Sequence, residues 1–584
     1  MFLIPSNMTT TTNILLLLIA SSAAAQETYI PGPDSQRQPN VPKGVLIANK
    51  WTNSKIYPGT VRDYWIYVPS QYKADKPAPV MIFQDGGGYI NETAGAKVPV
   101  VLDNLIHKGE IPPMIAIFIN PGVTPALNES SQARYHRSYE YDAVTDVYAG
   151  FLISEIIPEV RKSYNLSKDP NDWGLAGGSS GGIASFVAAW ERPDQFRRVL
   201  SFIGSYANLR GGQSLSSMVR KMEPKPLRIF LQDGSNDQSI YGGNWFTGNQ
   251  DLYGSLKYSG YDATFVIGTG GHDGRQTAAI MPDAIRWLWR EYPKPIEKSK
   301  KGGPRQYVMD IIDTDKDWEL VSSGHKFTEG PAVNKLGEVF FTDIPNNRIH
   351  KIGLDGKVTV FKEDTGGTNG LKFGPDGRLY GCQNGRKKIV AWDMNGKESV
   401  IADGVNSNDL AVTAKGEIYF TEPPTKRVWY IDANGQKRVV HEGIAFPNGI
   451  QLTPDQAVLD VVDMNGKWVW SFQIQPDGSL ANGAPFHRLE TRDDKVAAGG
   501  DGMTMDTEAH LYVATDLGIQ VLDAPGRVVG IISKPQRGPL SNVVFGGPDM
   551  KTLYVTAGDK VFKRPVKRQG LAAWTVMKPP PPGL

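Results

Sequence analysis

Residues 172–190, DWGLAGGSSGGIASFVAAW, set Ser179 and Ser180 between two glycine pairs, after an apolar run and before a helix-forming one. A serine on so tight a strand-to-helix turn stands clear of the sheet with a helix N-terminus behind it. That is what a nucleophilic hydroxyl needs, and small neighbours let the turn close. The pattern G-x-S-x-G fits in two registers, centred on Ser179 or on Ser180. A serine attacks only when a histidine takes its proton and an acid holds the histidine, and the chain order that accompanies this turn is Ser, acid, His. His107 and His136 precede the serines, which leaves His272 in TFVIGTGGHDGRQTAAI. Asp233 and Asp237, in LRIFLQDGSNDQ, are the acids available between them. Developing negative charge on a substrate carbonyl needs peptide N–H donors, and the glycines of VMIFQDGGGYI offer one at Gly87, with Gly88 beside it.

The second half carries a different set. FTEGPAVN, NSNDLAV, AFPNGIQL and GGDGMTMD present Glu329, Asn408, Asn448 and Asp501. Carboxylate and amide oxygens together suit a hard divalent cation: calcium first, with magnesium, manganese or zinc as alternatives.

Two kinds of architecture must position these groups. Up to Tyr292, short apolar runs (PVMIFQD, PPMIAIFIN, DWGLAG, LRIFLQDG) alternate with helical stretches such as DAVTDVYAGFLISEIIPEVRKSY. This alternation predicts a mostly parallel sheet covered on both faces over residues 26–292. Residues 293–306, PKPIEKSKKGGPRQ, read as an exposed linker. From 307 to 584 the helices give way to repeats: EVFFTDIPNNRIHKI, RLYGCQNGRKKIVAW, EIYFTEPPTKRVWYI, AVLDVVDMNGKWVWSF, HLYVATDLGIQVL and TLYVTAGDKVFKRP. A period of about 40 residues with several strands per copy is the mark of propeller blades, here six. The four oxygen-bearing segments each precede or open the first strand of a different repeat, so they are expected to converge on the central channel.

The stretch A-G-x-S-x-G-G resembles the elbow of the feruloyl esterase, esterase D and enterochelin esterase group of α/β-hydrolases. That resemblance implies Ser179 as nucleophile, the Ser180 N–H as an oxyanion donor alongside Gly87, and Asp237 rather than Asp233 as the acid. E-G-P, S-N-D, P-N-G and D-G-M, in this order and at one-blade spacing, resemble the gluconolactonase and senescence-marker-protein (regucalcin) family. There the resemblance implies that Glu329, Asn448 and Asp501 bind a metal, that Asn408 contacts metal-bound water or substrate, and that Asp501 acts as base. Where many members of that family carry an arginine just before the S-N-D asparagine, DGVNSNDLAV has none.

Charge narrows the remaining possibilities. With 63 basic against 61 acidic residues the net charge is +2, which argues against a nucleic-acid partner. One cysteine, Cys382, excludes an internal disulfide and a cysteine-based zinc cluster. The run NILLLLIASSAAAQ is too short to span a bilayer, and it predicts a leader over residues 1–25 with secretion or periplasmic export. No stable membrane insertion is expected. The whole reads as an exported serine carboxylic-ester hydrolase for acylated carbohydrate, joined to a lactonase-like propeller. The alternatives are a siderophore esterase, or an esterase whose propeller only binds.

Overall fold

The computed structural model describes residues 28–581; the expected leader falls outside them. Eight strands build the N-terminal sheet: β1 (Val45–Trp51), β2 (Arg62–Val68), β3 (Val80–Gln84), β4 (Ile115–Ile119), β5 (Trp173–Gly178), β6 (Arg198–Phe202), β7 (Arg228–Gly234) and β8 (Asp262–Gly268). Their order is β1-β2-β4-β3-β5-β6-β7-β8. β1–β2 and β2–β4 pair antiparallel and every other neighbour is parallel, the sheet of an α/β-hydrolase. The central strands are apolar throughout because both faces are covered. In β3, Val80 and Ile82 enter one core while Met81 and Phe83 enter the other. Helices α1 (Val98–His107) and α4 (Arg275–Trp289) cover the second face; α2 (Ser180–Glu191) and α3 (Trp245–Tyr258) cover the first. Each of β3, β5 and β7 therefore ends at the same sheet edge, where its following loop is free to carry chemistry.

The expected exposed linker is not a free tether. Asn171 Oδ1 accepts from Ile296 N at 3.0 Å, Ile296 is buried, and Gln306 Nε2 donates to Met222 O at 3.1 Å. One buried amide on each side, Asn171 in the N-terminal domain and Gln306 in the segment, thus ties down a stretch whose composition alone reads as solvent-exposed.

Six four-stranded sheets follow, making a six-bladed propeller. Their innermost strands are Thr328–Val333, Thr368–Phe373, Leu410–Val412, Pro447–Leu452, Met503–Met505 and Asn542–Gly546. The last blade takes its outer strand from the start of the domain: Glu319–Ser323 pairs antiparallel with Lys560–Pro565 and closes the ring. The C-terminal tail then crosses one mouth of the channel, where Leu571 N donates to Met505 O and Met577 N to Pro454 O, both at 2.9–3.0 Å. Leu571 and Ala573 line the small cavity left there with Lys372, Gln451 and Thr504. Among the described residues no helix is long and apolar enough to cross a membrane.

The two parts share a core. Met503, Val513 and Ile531 of the fifth blade belong to the same buried cluster as Phe186, Val219 and Leu252. Across this boundary Glu223 and Arg564, both buried, pair at 2.8 Å, and Glu223 Oε2 also accepts from Ser533 N at 2.8 Å.

Candidate active sites

Ser179 sits between β5 and α2 at φ 56°, ψ −122°, a backbone conformation that L residues seldom adopt. The turn closes because Gly177 and Gly181 face each other: a Cβ on Gly177 would lie inside contact distance of the Gly181 carbonyl. The result aims Ser179 Oγ at His272 Nε2, 2.8 Å away, while His272 Nδ1 lies 2.7 Å from Asp237 Oδ1. Of the two serines, only Ser179 takes this position; Ser180 is the first residue of α2, so its N–H has no acceptor within the helix. Of the two acids, Asp237 meets the histidine. Its carboxyl is held below the usual range: burial works against this, and hydrogen bonds from His272, Asp233 and the Gln238 N–H outweigh it.

Asp233 does something its sequence position does not suggest. It ends β7 fully buried, accepting from Gly234 N at 2.7 Å and from Asn249 Nδ2 at 2.9 Å, and its carboxyl also hydrogen-bonds with that of Asp237. Burial first, then the contact with Asp237, pushes Asp233 up to about 9. These effects favour the protonated form of Asp233, the form that can donate to Asp237. Asp237 Oδ2 is buried and has no other donor, so this proton is the one that satisfies it.

Two further residues are invisible in sequence. Trp245 Nε1 donates to Ser205 Oγ at 3.0 Å, and Ser205 Oγ lies 3.2 Å from Ser179 Oγ. With the Ser179 proton directed at His272, Ser205 donates to Ser179 Oγ and fixes its rotamer. Gly87, expected as an open donor, is engaged instead. Asp85 adopts a left-handed conformation, Gly88 N turns back to Asp85 O at 2.9 Å, and Gly87 N donates to Asn120 Oδ1 at 2.9 Å. Asn120 follows β4 directly beside this turn, so an oxyanion binding Gly87 must displace its side chain.

In the propeller, Glu329, Asn408, Asn448 and Asp501 occupy equivalent places at or just before the innermost strands, with Asn369 and Ser541 as the other two members of the ring and Asn542 one residue beyond Ser541, at the place Asp409 takes. Adjacent blades hand over to one another: Asn542 Nδ2 donates to Glu329 Oε2 at 3.0 Å, Thr421 Oγ1 to Asn448 O at 2.7 Å, and Gly370 N to Asn408 O at 3.0 Å. Burial and the neighbouring Asp409 charge push Glu329 up to about 8. Asp501 lies well above the usual carboxylate range, through burial and then the charges of Glu329 and Asp409, against a hydrogen bond from Asn448. Carboxylates forced together in a buried channel, with amide oxygens in the same ring and no imidazole or thiolate, form an oxygen donor set that fits a hard divalent cation. Asp409 was not anticipated from its motif. It answers Lys372, whose ammonium is driven down by burial and partly restored by that carboxylate.

Comparison with known proteins follows the same division. Residues 57–265 match the family described as "Putative esterase", and residues 327–559 match "SMP-30/Gluconolactonase/LRE-like region". A gluconolactonase of Zymomonas mobilis is 28% identical over 315 residues, 47% of this chain and 88% of that protein. The pentonolactonase XacC of Haloferax volcanii is 24% identical over 247 residues, 41% of this chain and 83% of its own length. An iron(III) enterobactin esterase of Escherichia coli is 27% identical over 268 residues, covering 44% of this chain and 60% of the relative. The chain thus joins an N-terminal domain similar to the esterase family to a C-terminal propeller similar to the SMP-30/gluconolactonase family.

Proposed function

We propose that the chain is an exported hydrolase with two separate sites, a serine carboxylic-ester hydrolase at Ser179 and a metal-dependent lactonase in the propeller channel. The observation that carries the first is the unbroken line from Ser179 Oγ through His272 to Asp237, at 2.8 and 2.7 Å. In this reading His272 takes the Ser179 proton as the hydroxyl attacks an ester carbonyl, and Asp237 stabilises the imidazolium. The Ser180 N–H meets the oxyanion, and His272 returns the proton to the leaving alcohol. Water then repeats the sequence on the acyl-enzyme. In the channel, Glu329, Asn448 and Asp501 would hold the cation, which would polarise a lactone carbonyl when bound. Asn448 keeps Asp501 oriented through their hydrogen bond, and Asn542 does the same for Glu329. Asp501 serves as the base towards the incoming water, and Asn408 meets that water or the substrate.

The substrates in this reading are small: an acylated carbohydrate for the first site and a related lactone, calcium-assisted, for the second. The similarity to an enterobactin esterase favours a second reading, in which the ester is a siderophore of that kind. Export rests on residues 1–25, and N-terminal sequencing of the mature protein tests it: an intact first residue would overturn it.

Hydrolysis of nitrophenyl acetate by the full chain is the direct test of the triad. Ser179→Ala is expected to lose more than about a thousandfold in kcat/KM, while Ser180→Ala keeps activity within about tenfold because its contribution is a backbone N–H. The reverse order would overturn the assignment. A panel of feruloyl, acetyl and siderophore esters separates the two substrate readings. Lactone opening that survives exhaustive chelation, or is unaffected by Glu329→Gln, would remove the lactonase.

A further inference from the structure

We infer that the chain carries a second metal site, for zinc or a similar late first-row ion, formed by His325, Asp343 and His350 at the seam where the propeller ring closes. The ligand atoms of these three side chains all lie within 4.8 Å of one another. They come from separate places in the chain: His325 from the loop after the closing strand Glu319–Ser323, Asp343 from the end of Val339–Asp343, and His350 from Arg348–Ile352.

Donor chemistry separates this site from the channel. The channel ring offers only oxygen, whereas two imidazoles and one carboxylate are the set that selects zinc and its neighbours over calcium or magnesium. The geometry is close to what such an ion requires. His325 Nδ1 and Asp343 Oδ2 are 3.2 Å apart. Two ligands on tetrahedral arms of about 2.0–2.1 Å stand roughly 3.3 Å from each other. The supporting contacts are also in place. His325 Nε2 faces Ser322 Oγ at 2.7 Å, so the tautomer that donates to Ser322 turns a lone pair on Nδ1 towards Asp343. Asp343 is held by Asn346 Nδ2 at 2.7 Å through the ligating oxygen, and by the N–H groups of Lys326 and Phe327 at 3.2 and 3.3 Å through the other. His350 packs flat on Phe341, ring centroids 5.0 Å apart, and edge-on to His325 at 4.8 Å.

The third ligand supplies the independent observation. His350 Nε2 is buried and has no hydrogen-bond partner, a condition that costs on the order of 1–3 kcal/mol for a buried polar atom. An ion shared with His325 and Asp343 satisfies it, with water completing the coordination. Because Ser322 belongs to the closing strand and Asp343 and His350 to the first blade, such an ion ties the two ends of the ring together.

The test uses the full-length chain, stripped with chelator, with Glu329→Gln to silence the channel. This protein is expected to bind one equivalent of zinc, to develop the visible absorption of tetrahedral cobalt(II) when cobalt replaces it, and to melt at a higher temperature with zinc than without. His325→Ala or His350→Gln on the same background should weaken zinc binding at least tenfold and abolish both the absorption and the thermal shift. A melting curve as cooperative as the parent's, without metal, shows that these variants are folded. Equal zinc affinity in the histidine variants and the parent, or no zinc bound by the parent, overturns the site.

Discussion

Asp233 ends its strand two hydrogen bonds deep in the protein and keeps its proton up to about 9, so the triad stands on a neutral acid rather than on a second charge. Its folded-state value lies above that of the unfolded chain, near 3.9. Between these limits the unfolded state has released the proton and the folded state has not, so this residue makes stability fall as pH rises from about 4 to about 9. Asp233→Asn, which keeps a donor towards Asp237, is expected to flatten that decline in denaturation midpoints and to keep esterase activity within about tenfold. Asp233→Ala leaves Asp237 Oδ2 unsatisfied and should cost more than tenfold in kcat with little change in KM, because the loss falls on the base rather than on substrate binding. The serine turn and His272 are legible in the sequence because fold order and elimination leave few choices, whereas the choice of Ser179 over Ser180 leaned on the family resemblance. The division of labour between Asp233 and Asp237 is not, since it depends on which carboxyl the β7 loop turns towards His272. Ser205 and Trp245 meet Ser179 only through tertiary packing and leave no local signal.

At the scale of strands, the channel ring depends on glycines that let neighbouring blades approach. The Gly502 Cα faces the Asn542 amide so closely that a Cβ would overlap it, and that amide holds Glu329. Gly502→Ala should therefore weaken divalent-metal binding, read by calorimetric titration, while leaving nitrophenyl acetate hydrolysis unchanged. The six repeats are readable because each blade repeats an alternation of apolar strands and turn residues. Asn369 and Ser541 complete the ring, yet they lie in T-N-G and S-N-V, outside the motifs that carry the family resemblance. The antiparallel edge formed by β1 and β2 also left little trace: in β1 only the outward alternation of an edge strand shows, with Val45 and Ile47 exposed.

Across the whole molecule, the hydrolase and the propeller are held together by shared apolar packing and by the buried Glu223–Arg564 pair. Removing one partner of a buried pair strands the other charge and costs about 3–5 kcal/mol. Glu223→Ala is thus expected to lower global stability by about that much, and to split one unfolding transition, followed by esterase activity and by tryptophan fluorescence, into two. A single unshifted transition would mean that the domains do not support each other. The linker composition gave no hint of this coupling, because the residues that anchor it, Asn171 and Gln306 among them, act through one buried amide each. Asn171 and Gln306 lie 135 positions apart in the chain, and only the fold brings their roles together.

The ring-closing strand has a consequence in time. Glu319–Ser323 is synthesised at the start of the propeller, but its partner Lys560–Pro565 leaves the ribosome roughly 240 residues later, about 10–50 s at ordinary elongation rates. Throughout that interval the sheet edge that will receive it does not exist, while the hydrolase sheet is already complete. The nascent chain must therefore carry an unpaired strand, and any pause between residues 323 and 560 lengthens its exposure to the wrong partner.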